Sequence, residues 1–430
     1  MLFRNISLVD ENMSVRRNMY LGTRGGKIDY LSAHPPADEK AFGEIYPHSA
    51  HRLLVPGFVN AHTHTPMYLL RGYGENLKLR DWLYGKIFPF ESRMSGHDAY
   101  IGAMCSIAEM LRFGTTSASD MYYFASDVVR GYCDAKMQGV VSYCTVCADK
   151  ADYFALPAYK ETAALLRNDV SNGLVRVEFA LHAEYTTHES IARALAQAAK
   201  TSGSSIHVHV SETKDETEQC RRRRSMDSPV RYLEKCGIFD VPAVAAHCVW
   251  IDDEDMGILA EKGVCVASCP KSNLKLASGV SPAVKLLEKG VNVALGTDSA
   301  ASNNCLNMLE EARVFALLHK GFNLDPTVIS PASALYAATR AGALAQGRTD
   351  AGLLKEGFAA DIAVFDTDRE YMYPAHDLLS NLIFSACGSD VCLTMAGGRI
   401  LYRDGEFTTL DVEKLRAEAE LSVKQILSHL

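Results

Sequence analysis

Short apolar runs rich in β-branched residues recur through the middle of the chain, and stretches whose apolar residues follow helical spacing separate them. Eight of these runs predict strands, at residues 53–60, 115–121, 139–147, 175–182, 205–210, 243–249, 264–269 and 291–296. The stretches between them predict helices, including 98–113, 189–201, 229–236, 253–262 and 282–289. Alternating strands and helices form parallel sheets, and eight such units close into a barrel. The pattern therefore predicts an α/β fold, a (β/α)8 TIM-like barrel.

An open, doubly wound sheet is the alternative arrangement of the same elements. That fold characteristically carries a Gly-x-Gly-x-x-Gly turn between a strand and the following helix. None of the eight predicted strands is followed by such a turn, so the barrel is favoured.

The two ends of the chain have a different pattern, with short strands and turns. Residues 1–55 contain one such stretch, and residues 357–430 contain another, including the strand-like segments 358–365 and 393–402. Neither end has enough apolar sequence to form a core alone. We therefore predict a composite β-sandwich domain built from 1–55 and 357–430, packed beside a catalytic barrel of residues 56–356.

Composition and charge narrow the range of functions. The chain has 430 residues, of which 48% are hydrophobic and 22% charged, as in globular proteins. Its formal net charge of −8 argues against nucleic acid as a partner. A run of four arginines at 221–224 is the one basic cluster, and it predicts either a solvated surface or the mouth of a pocket for an anionic substrate.

No segment has the features of a signal peptide or a membrane span, so we predict a cytoplasmic location without membrane association. The twelve cysteines include Cys144-x-x-Cys147 and Cys265-x-x-x-Cys269, but neither pair has a second pair at zinc-ribbon distance. We interpret these cysteines as small buried hydrophobic residues.

The strongest chemical signal lies at the end of the first predicted strand. Alternate side chains of a strand share a face, so His62 and His64 can point together into the barrel and bind a divalent metal. They end the segment Pro56-Gly57-Phe58-Val59-Asn60-Ala61-His62-Thr63-His64.

Later strands end in further ionisable residues. These are His182, His209 with Glu212, His247 and Asp298. Buried ionisable groups at one end of a barrel are destabilising unless they meet one another or a metal. One such residue is explained by ordinary core packing, but the joint pattern predicts a metal-dependent active site.

Taken together, these motifs resemble the amidohydrolase superfamily, and within it the methylthioadenosine/S-adenosylhomocysteine deaminase group, which is related to chlorohydrolases and to guanine and cytosine deaminases. The resemblance covers nearly the whole chain. Besides the strand ends above, it rests on Trp82-Leu83, Phe88-Pro89-Phe90-Glu91, Gly296-Thr297-Asp298-Ser299-Ala300-Ala301-Ser302-Asn303-Asn304 and Ala360-Asp361-Ile362.

The resemblance implies one divalent metal ion, with Zn²⁺ favoured and Fe²⁺ or Mn²⁺ as alternatives. Its implied ligands are His62, His64, His209 and Asp298. The fourth strand ends in His182 rather than in the bridging lysine of binuclear relatives. His207 has the same strand parity as His209, but we expect it to lie deeper in the barrel.

The resemblance also implies roles in catalysis and substrate binding. Glu212 would move protons, Asp298 would accept the proton of the attacking water, and His247 would orient that water. His182 would contact a purine ring and Glu91 the hydroxyls of a ribose.

Trp82 would either cover the substrate as an apolar wall or anchor a barrel loop, and the sequence leaves both interpretations open. The implied reaction converts an adenosine-like nucleoside to its inosine analogue and ammonia. The implied substrates are 5-methylthioadenosine, S-adenosylhomocysteine, 5′-deoxyadenosine and adenosine.

One departure from the group concerns the tail of S-adenosylhomocysteine. Relatives that act on it hold its amino-acid tail with arginines around and beyond the third strand, but residues 141–166 contain none, and Lys150 and Lys160 are the only cations there. Because bidentate recognition of a carboxylate is a property of arginine, a shorter nucleoside is as good a candidate.

Three other functions share part of this pattern. A deaminase or chlorohydrolase acting on guanine, a pterin or a triazine would use the same metal site, and an inactive scaffold would have lost some of its residues. A zinc deaminase of nucleic-acid bases requires Pro-Cys-x-x-Cys, whereas Cys269-Pro270 has the reverse order and no second cysteine. As in the related group, we also expect the chain to form homo-oligomers.

Overall fold

The computed structural model describes residues 1–47 and 50–430 of the chain. Within them, the strands in chain order are β1 (Leu2–Val9), β2 (Val15–Arg24), β3 (Lys27–Ser32), β4 (Arg52–Pro56), β5 (Phe58–Thr63), β6 (Thr115–Tyr122), β7 (Gln138–Thr145), β8 (Val175–Leu181), β9 (Ile206–Val210), β10 (Ala243–His247), β11 (Cys265–Ser268), β12 (Val293–Leu295), β13 (Ile362–Asp366), β14 (Val391–Ala396), β15 (Arg399–Arg403) and β16 (Glu406–Phe407).

The α-helices of the same residues are α1 (Leu79–Trp82), α2 (Phe88–Glu91), α3 (Gly96–Arg112), α4 (Ala125–Ala135), α5 (Pro157–Arg167), α6 (Glu189–Ser202), α7 (Lys214–Arg224), α8 (Pro229–Lys235), α9 (Asp253–Glu261), α10 (Pro270–Lys275), α11 (Ala283–Glu288), α12 (Ala300–Asn303), α13 (Met308–Asn323), α14 (Pro331–Ala338), α15 (Arg340–Ala345), α16 (Leu378–Phe384) and α17 (Val412–Leu427). The five helices predicted from spacing match α3, α6, α8, α9 and α11 to within two residues at each end. Among the described residues, no helix combines the length and the apolar character that crossing a membrane requires.

Strands β5 to β12 form one sheet in sequence order, and all of its neighbouring strands are parallel. Its edge strands, β5 and β12, meet to close the barrel, and within the described residues they are joined by single hydrogen bonds rather than by a regular β-ladder. At this seam the Asp298 amide donates to the His62 carbonyl at 3.0 Å. The Asn60 side chain also accepts from the Thr297 amide at 3.0 Å and donates to the Thr297 hydroxyl at 2.7 Å. The predicted (β/α)8 barrel is confirmed.

The predicted strand at 53–60 is wrong as a single element, because the chain changes sheets at Gly57. β4 pairs with β1 and β13, whereas β5 is the first strand of the barrel. A Cβ atom on Gly57 would lie 2.3 Å from the side chain of Thr116, so only glycine permits this close crossing. A continuous apolar run carries no sign of the change, because both strands are buried.

The remaining strands join the two ends of the chain in a second sheet, with the order β16-β15-β14-β13-β4-β1-β2-β3. Residues of both ends, including Phe3, Leu21, Ile362 and Leu393, form an apolar core separate from the main one. This arrangement confirms the predicted β-sandwich. Helix α17 packs against α3 of the barrel, and α16 packs against α13 and α14. The division into domains at residues 55 and 357 stays a prediction.

The segment after β5 covers the end of the barrel where its strands terminate. It runs through α1, a single π-type turn at Leu83–Ile87, and α2. Trp82, Leu83 and Ile87 of this segment are buried. Their apolar side chains form a roof over the carboxyl ends of the strands.

Candidate metal centre

Four residues from three places at the barrel's carboxyl end bring their side chains together. His62 lies on β5 and His64 directly follows it, His209 lies on β9, and Asp298 follows β12. Asp298 Oδ1 lies 3.3 Å from His64 Nε2 and 3.7 Å from His62 Nε2, and His64 Nε2 lies 3.2 Å from His209 Nε2. The structure thus places in one cluster the four residues for which the sequence implied metal binding.

Backbone carbonyls fix the rings of His64 and His209 from behind. The Nδ1 atom of His64 bonds to the carbonyl of Met121, and that of His209 bonds to the carbonyl of His182 at 2.7 Å. A carbonyl can only accept, so both Nδ1 atoms carry the proton. Nε2 is therefore the atom of each ring that faces the cluster and would give its lone pair to a bound metal.

A buried chain of side chains fixes His62 in the same way. Glu178 Oε1 lies 3.2 Å from His207 Nδ1, and His207 Nε2 lies 2.9 Å from His62 Nδ1. The carboxylate accepts from Nδ1 of His207, so Nε2 of His207 accepts in turn from Nδ1 of His62. His207 is fully buried below the cluster, at the depth expected from its place on the strand.

The Nε2 atom of His62 is buried and has no hydrogen-bond partner among the described residues. Buried polar atoms almost always have a partner, so an orphaned nitrogen needs an explanation. Burial, and then the neighbouring histidines, hold the pKa of His62 well below its usual value, so the ring is neutral. A neutral imidazole with a free lone pair inside a group of similar donors fits a divalent cation.

Asp298 is oriented by two hydroxyl groups. Its Oδ2 atom accepts from Ser272 Oγ at 2.6 Å and from Ser302 Oγ at 2.8 Å, which leaves Oδ1 facing the histidines. Burial alone would raise the pKa of Asp298, but the hydrogen bond and charge of His64 outweigh it and lower that pKa. The side chain is therefore an ionised carboxylate. Its backbone has φ of 57°, a left-handed conformation that aspartate adopts rarely.

His247 and Glu212 stand beside this cluster. The ring centroids of His247 and His62 are 5.4 Å apart, and His247 Nδ1 bonds to Asn273 Oδ1 at 2.9 Å. The Asn273 oxygen accepts, so His247 has its proton on Nδ1. Glu212 is buried, and burial raises its pKa. A carboxyl group with a raised pKa suits proton transfer near neutral pH.

A cavity opens directly onto the cluster. It contains all three residues assigned to substrate binding from the sequence, Trp82, Glu91 and His182. Most of the other lining residues are apolar or aromatic, namely Met67, Leu79, Leu83, Ile87, Phe88, Met121, Tyr122, Tyr123, Cys144, Tyr185 and Leu276. Among the described lining residues there is no lysine or arginine.

The basic run at 221–224 divides between two settings. Arg221 is exposed, 4.0 Å from Asp227, as expected for a solvated surface. Arg223 and Arg224 both bind the fully buried carboxylate of Glu184, each with one contact of 2.6 Å. Arg223 also lines an outer groove that shares walls with the cavity. The run is therefore partly structural, because it ties α7 to the loop that follows β8.

Several residues that shape the site were not identified from the sequence. Ser272 and Asn273 orient Asp298 and His247, and no motif in their segment indicates this role. Glu216 lines the cavity four residues after Glu212. Its place three residues after Thr213, in the Thr-x-x-Glu pattern of a helix start, was the available signal.

Comparisons with known proteins agree with this geometry. The chain matches the amidohydrolase family over residues 53–401. It is 40% identical over 386 residues to the 5-methylthioadenosine/S-adenosylhomocysteine deaminase of Dictyoglomus thermophilum, covering 89% of this chain and 90% of the relative. It is 39% identical over 378 residues to the 5′-deoxyadenosine deaminase of Methanothermobacter thermautotrophicus, and the match covers 87% of this chain and 88% of the relative. The solved structure of an adenosine deaminase from Xanthomonas campestris with bound zinc superposes on this chain with a TM-score of 0.92. The two sequences are 30% identical, and the superposition covers 99% of this chain and 98% of the solved one.

The metal assignment predicts the effect of replacing Asp298. Asp298→Ala removes the only carboxylate of the four assigned ligands, so purified protein should contain less than half of the divalent metal of the wild type. Elemental analysis of the protein measures this directly. Asp227→Ala is the matched control, because the Asp227 side chain is 79% exposed and is not one of the assigned ligands. Normal metal occupancy in Asp298→Ala would count against the assignment.

Proposed function

Because the chain belongs to the amidohydrolase family, and within it to the 5-methylthioadenosine/S-adenosylhomocysteine deaminase group, we propose that it hydrolyses the C–N bond of an adenosine-like nucleoside and releases the inosine analogue and ammonia. The observation that carries the proposal is the convergence of three imidazole nitrogens and one carboxylate at the base of an apolar cavity that also holds Glu91, His182 and Glu212. Relatives named as deaminases of adenosine-type nucleosides disfavour a chlorohydrolase, and the complete set of site residues disfavours an inactive scaffold.

His62, His64, His209 and Asp298 would hold one divalent ion, and we propose Zn²⁺. Histidine nitrogens and carboxylate oxygens are donor atoms that zinc takes in proteins, and the solved adenosine deaminase carries bound zinc. When bound, the ion would supply Lewis acidity, which activates water for attack at neutral pH.

Glu212 and Asp298 move the protons of the reaction. As a new C–O bond forms at C6 of the purine, the carboxylate of Glu212 takes a proton from the attacking water and passes it to the adjacent ring nitrogen. Asp298 accepts the second proton of that water and passes it to the amino group, the C–N bond breaks, and ammonia leaves. Glu212 ends the cycle in its starting form, because both protons of the water have reached the products.

His247 and Asp298 hold the attacking water. With its proton on Nδ1, His247 presents the lone pair of Nε2, which accepts a hydrogen bond from the water. Asp298 keeps Oδ1 available as a second acceptor, because Ser272 and Ser302 occupy Oδ2. Two acceptors fixed by their own partners restrict the water to one orientation, which lowers the entropy cost of attack.

The cavity recognises the nucleoside through three side chains. Burial lowers the pKa of His182 to about 3, so its imidazole is neutral and can exchange a single hydrogen bond with a ring nitrogen. The carboxylate of Glu91 suits the two adjacent hydroxyls of a ribose. Trp82, 6% exposed in the roof, covers the purine.

The 5′ substituent is proposed to be uncharged. No cation lines the described cavity, whereas Glu91, Glu212, Glu216 and Asp298 line it with carboxyl groups. Within the cavity, an amino-acid carboxylate at the 5′ position would meet these groups without an arginine to pair with it, because Lys78, Arg80, Lys214 and Arg223 line the outer groove instead. Methylthioadenosine, 5′-deoxyadenosine and adenosine are therefore favoured over S-adenosylhomocysteine.

Two coarser features of the chain fit this role. All of its cysteines lie in the described ranges and are free thiols, which supports the proposed cytoplasmic location, because reducing compartments preserve thiols. Self-association into a homo-oligomer is also proposed, and analytical ultracentrifugation of the purified chain tests it.

The first experiment is ammonia release by zinc-loaded protein from methylthioadenosine, 5′-deoxyadenosine, adenosine, S-adenosylhomocysteine, adenine, guanine and cytosine. We expect the three uncharged nucleosides to give kcat/KM at least about tenfold above that of S-adenosylhomocysteine, equivalent to about 1.4 kcal/mol of transition-state binding. A preference for guanine or cytosine would contradict the proposed substrate class. If S-adenosylhomocysteine reacts as fast as the uncharged nucleosides, the result would contradict only the proposal that the 5′ substituent is uncharged.

Replacing Glu212 tests its role in proton transfer. Glu212→Gln keeps the shape of the side chain but cannot carry a proton, so kcat should fall by about 10²- to 10⁴-fold while metal content stays normal. Glu218→Gln is the matched control, with the same change on a side chain that is 59% exposed. Wild-type kcat in Glu212→Gln would remove this residue from the mechanism.

Replacing Glu91 tests recognition of the sugar. Glu91→Ala should abolish the preference for adenosine over adenine, because the ribose hydroxyls lose their acceptor, and kcat/KM for adenosine should fall by about 10- to 100-fold. Competition between the two substrates measures the preference. The exposed Glu370→Ala serves as the control, and an unchanged preference in Glu91→Ala would assign the ribose contact elsewhere.

A further inference from the structure

A carboxyl group behind Glu212 bonds to the backbone that carries it. Glu216 Oε1 accepts from the amide of Ser211 at 3.0 Å, and its Oε2 accepts from the amide of Glu212 at 2.7 Å. Thr213 caps α7 by accepting from the amide of Glu216 at 3.2 Å. In an ordinary capping box, the side chain of the glutamate accepts a hydrogen bond from the backbone amide of the capping residue. Here the carboxyl group instead holds the two amides that precede the cap.

The backbone held in this way is strained. Ser211 follows the last residue of β9 and has φ of 50°, in the left-handed region that serine seldom adopts. Its carbonyl accepts from the amides of Val249 at 3.1 Å and Trp250 at 2.9 Å. The turn after β9 is therefore fixed on one side by the β10 loop and on the other side by Glu216, and it directs residue 212 toward the metal centre.

The side chain of Glu212 itself is held weakly. Within the described residues its one hydrogen bond from a side chain comes from Ser278 Oγ, at 3.5 Å, the limit of such a contact. A group that must both take and give protons needs this freedom from strong partners. Its direction must then come from the backbone, and the amide of Glu212 is one of the two that Glu216 holds.

We propose that Glu216 is a positioning residue, which aims the carboxyl group of Glu212 at the reacting atoms by holding the amides of Ser211 and Glu212. The inference rests on the proposed function, because it assigns Glu216 a role only through the proton transfer of Glu212.

Helix α7 supplies the rigid base for this arrangement. Glu216 is 5% exposed in its first turn. In its last turn, Arg223 and Arg224 bind the buried Glu184, and Arg224 also donates to the carbonyls of Glu184 and Thr187 at 2.7 and 2.6 Å. Burial, and then Glu212, raise the pKa of Glu216 to about 8, and a protonated carboxyl group still accepts through its oxygens.

The test is Glu216→Gln, which keeps the volume of the side chain but replaces one acceptor with an NH₂ group that opposes a backbone amide. Loss of one well-placed contact should lower kcat by about 10- to 100-fold, while KM for adenosine and zinc content change little and the thermal midpoint falls, because one buried amide loses its acceptor. Glu218→Gln on the same helix is the matched control. Glu216→Asp keeps the carboxyl group but shortens the side chain, so it should also lower kcat. This variant replaces Glu216→Gln in the test if the glutamine variant does not fold.

A double-mutant cycle with Glu212→Gln separates positioning from general stabilisation. If Glu216 acts through Glu212, adding Glu216→Gln to Glu212→Gln should change kcat by less than about twofold. A kcat for Glu216→Gln within twofold of wild type, or the same fold loss in both backgrounds, would overturn the inference. Full activity in Glu212→Gln alone, or no ammonia from any nucleoside, would instead refute the proposed function on which it rests.

Discussion

The architecture of this site depends on Nε2 of His62, a buried nitrogen that has no hydrogen-bond partner among the described residues. An unpaired polar atom in a protein interior is costly, and three more donor atoms converge on the same space. A single divalent cation would satisfy all of them together. The convergence follows from closure of the barrel, because the seam joins its first and last strands, and the amide of Asp298 donates to the carbonyl of His62 at 3.0 Å.

The groups of the site are fixed from the side that faces away from the metal centre. Glu178 and His207 fix His62, and Ser272 fixes Asp298. Each such bond sets which atom of the side chain carries a proton and which offers a lone pair to the centre. Glu212 differs, because within the described ranges its side chain has a single hydrogen bond, a weak one from Ser278. The groups proposed to bind the metal are thus rigid, whereas the proposed proton carrier is free to move between partners.

Much of the fold was predictable from sequence, because barrel strands are buried on both faces and appear as continuous apolar runs. The pairing of His62 with His64 followed from strand parity. The change of sheet at Gly57 was not predictable, since the apolar run continues unbroken from one sheet into the next. The roles of Ser272 and Glu216 also escaped prediction, because hydrogen bonds between segments depend on tertiary distances that local patterns do not contain.

The charge of the cavity links metal binding to substrate choice. Four carboxyl groups, those of Glu91, Glu212, Glu216 and Asp298, line its described walls, and no lysine or arginine does. In a site sheltered from water, such a field attracts a divalent cation and opposes an anionic tail. A nucleoside with an uncharged 5′ end enters without this penalty, and its ribose hydroxyls and ring nitrogens exchange hydrogen bonds with groups already present. The same carboxyl groups therefore favour the cofactor and restrict the substrate.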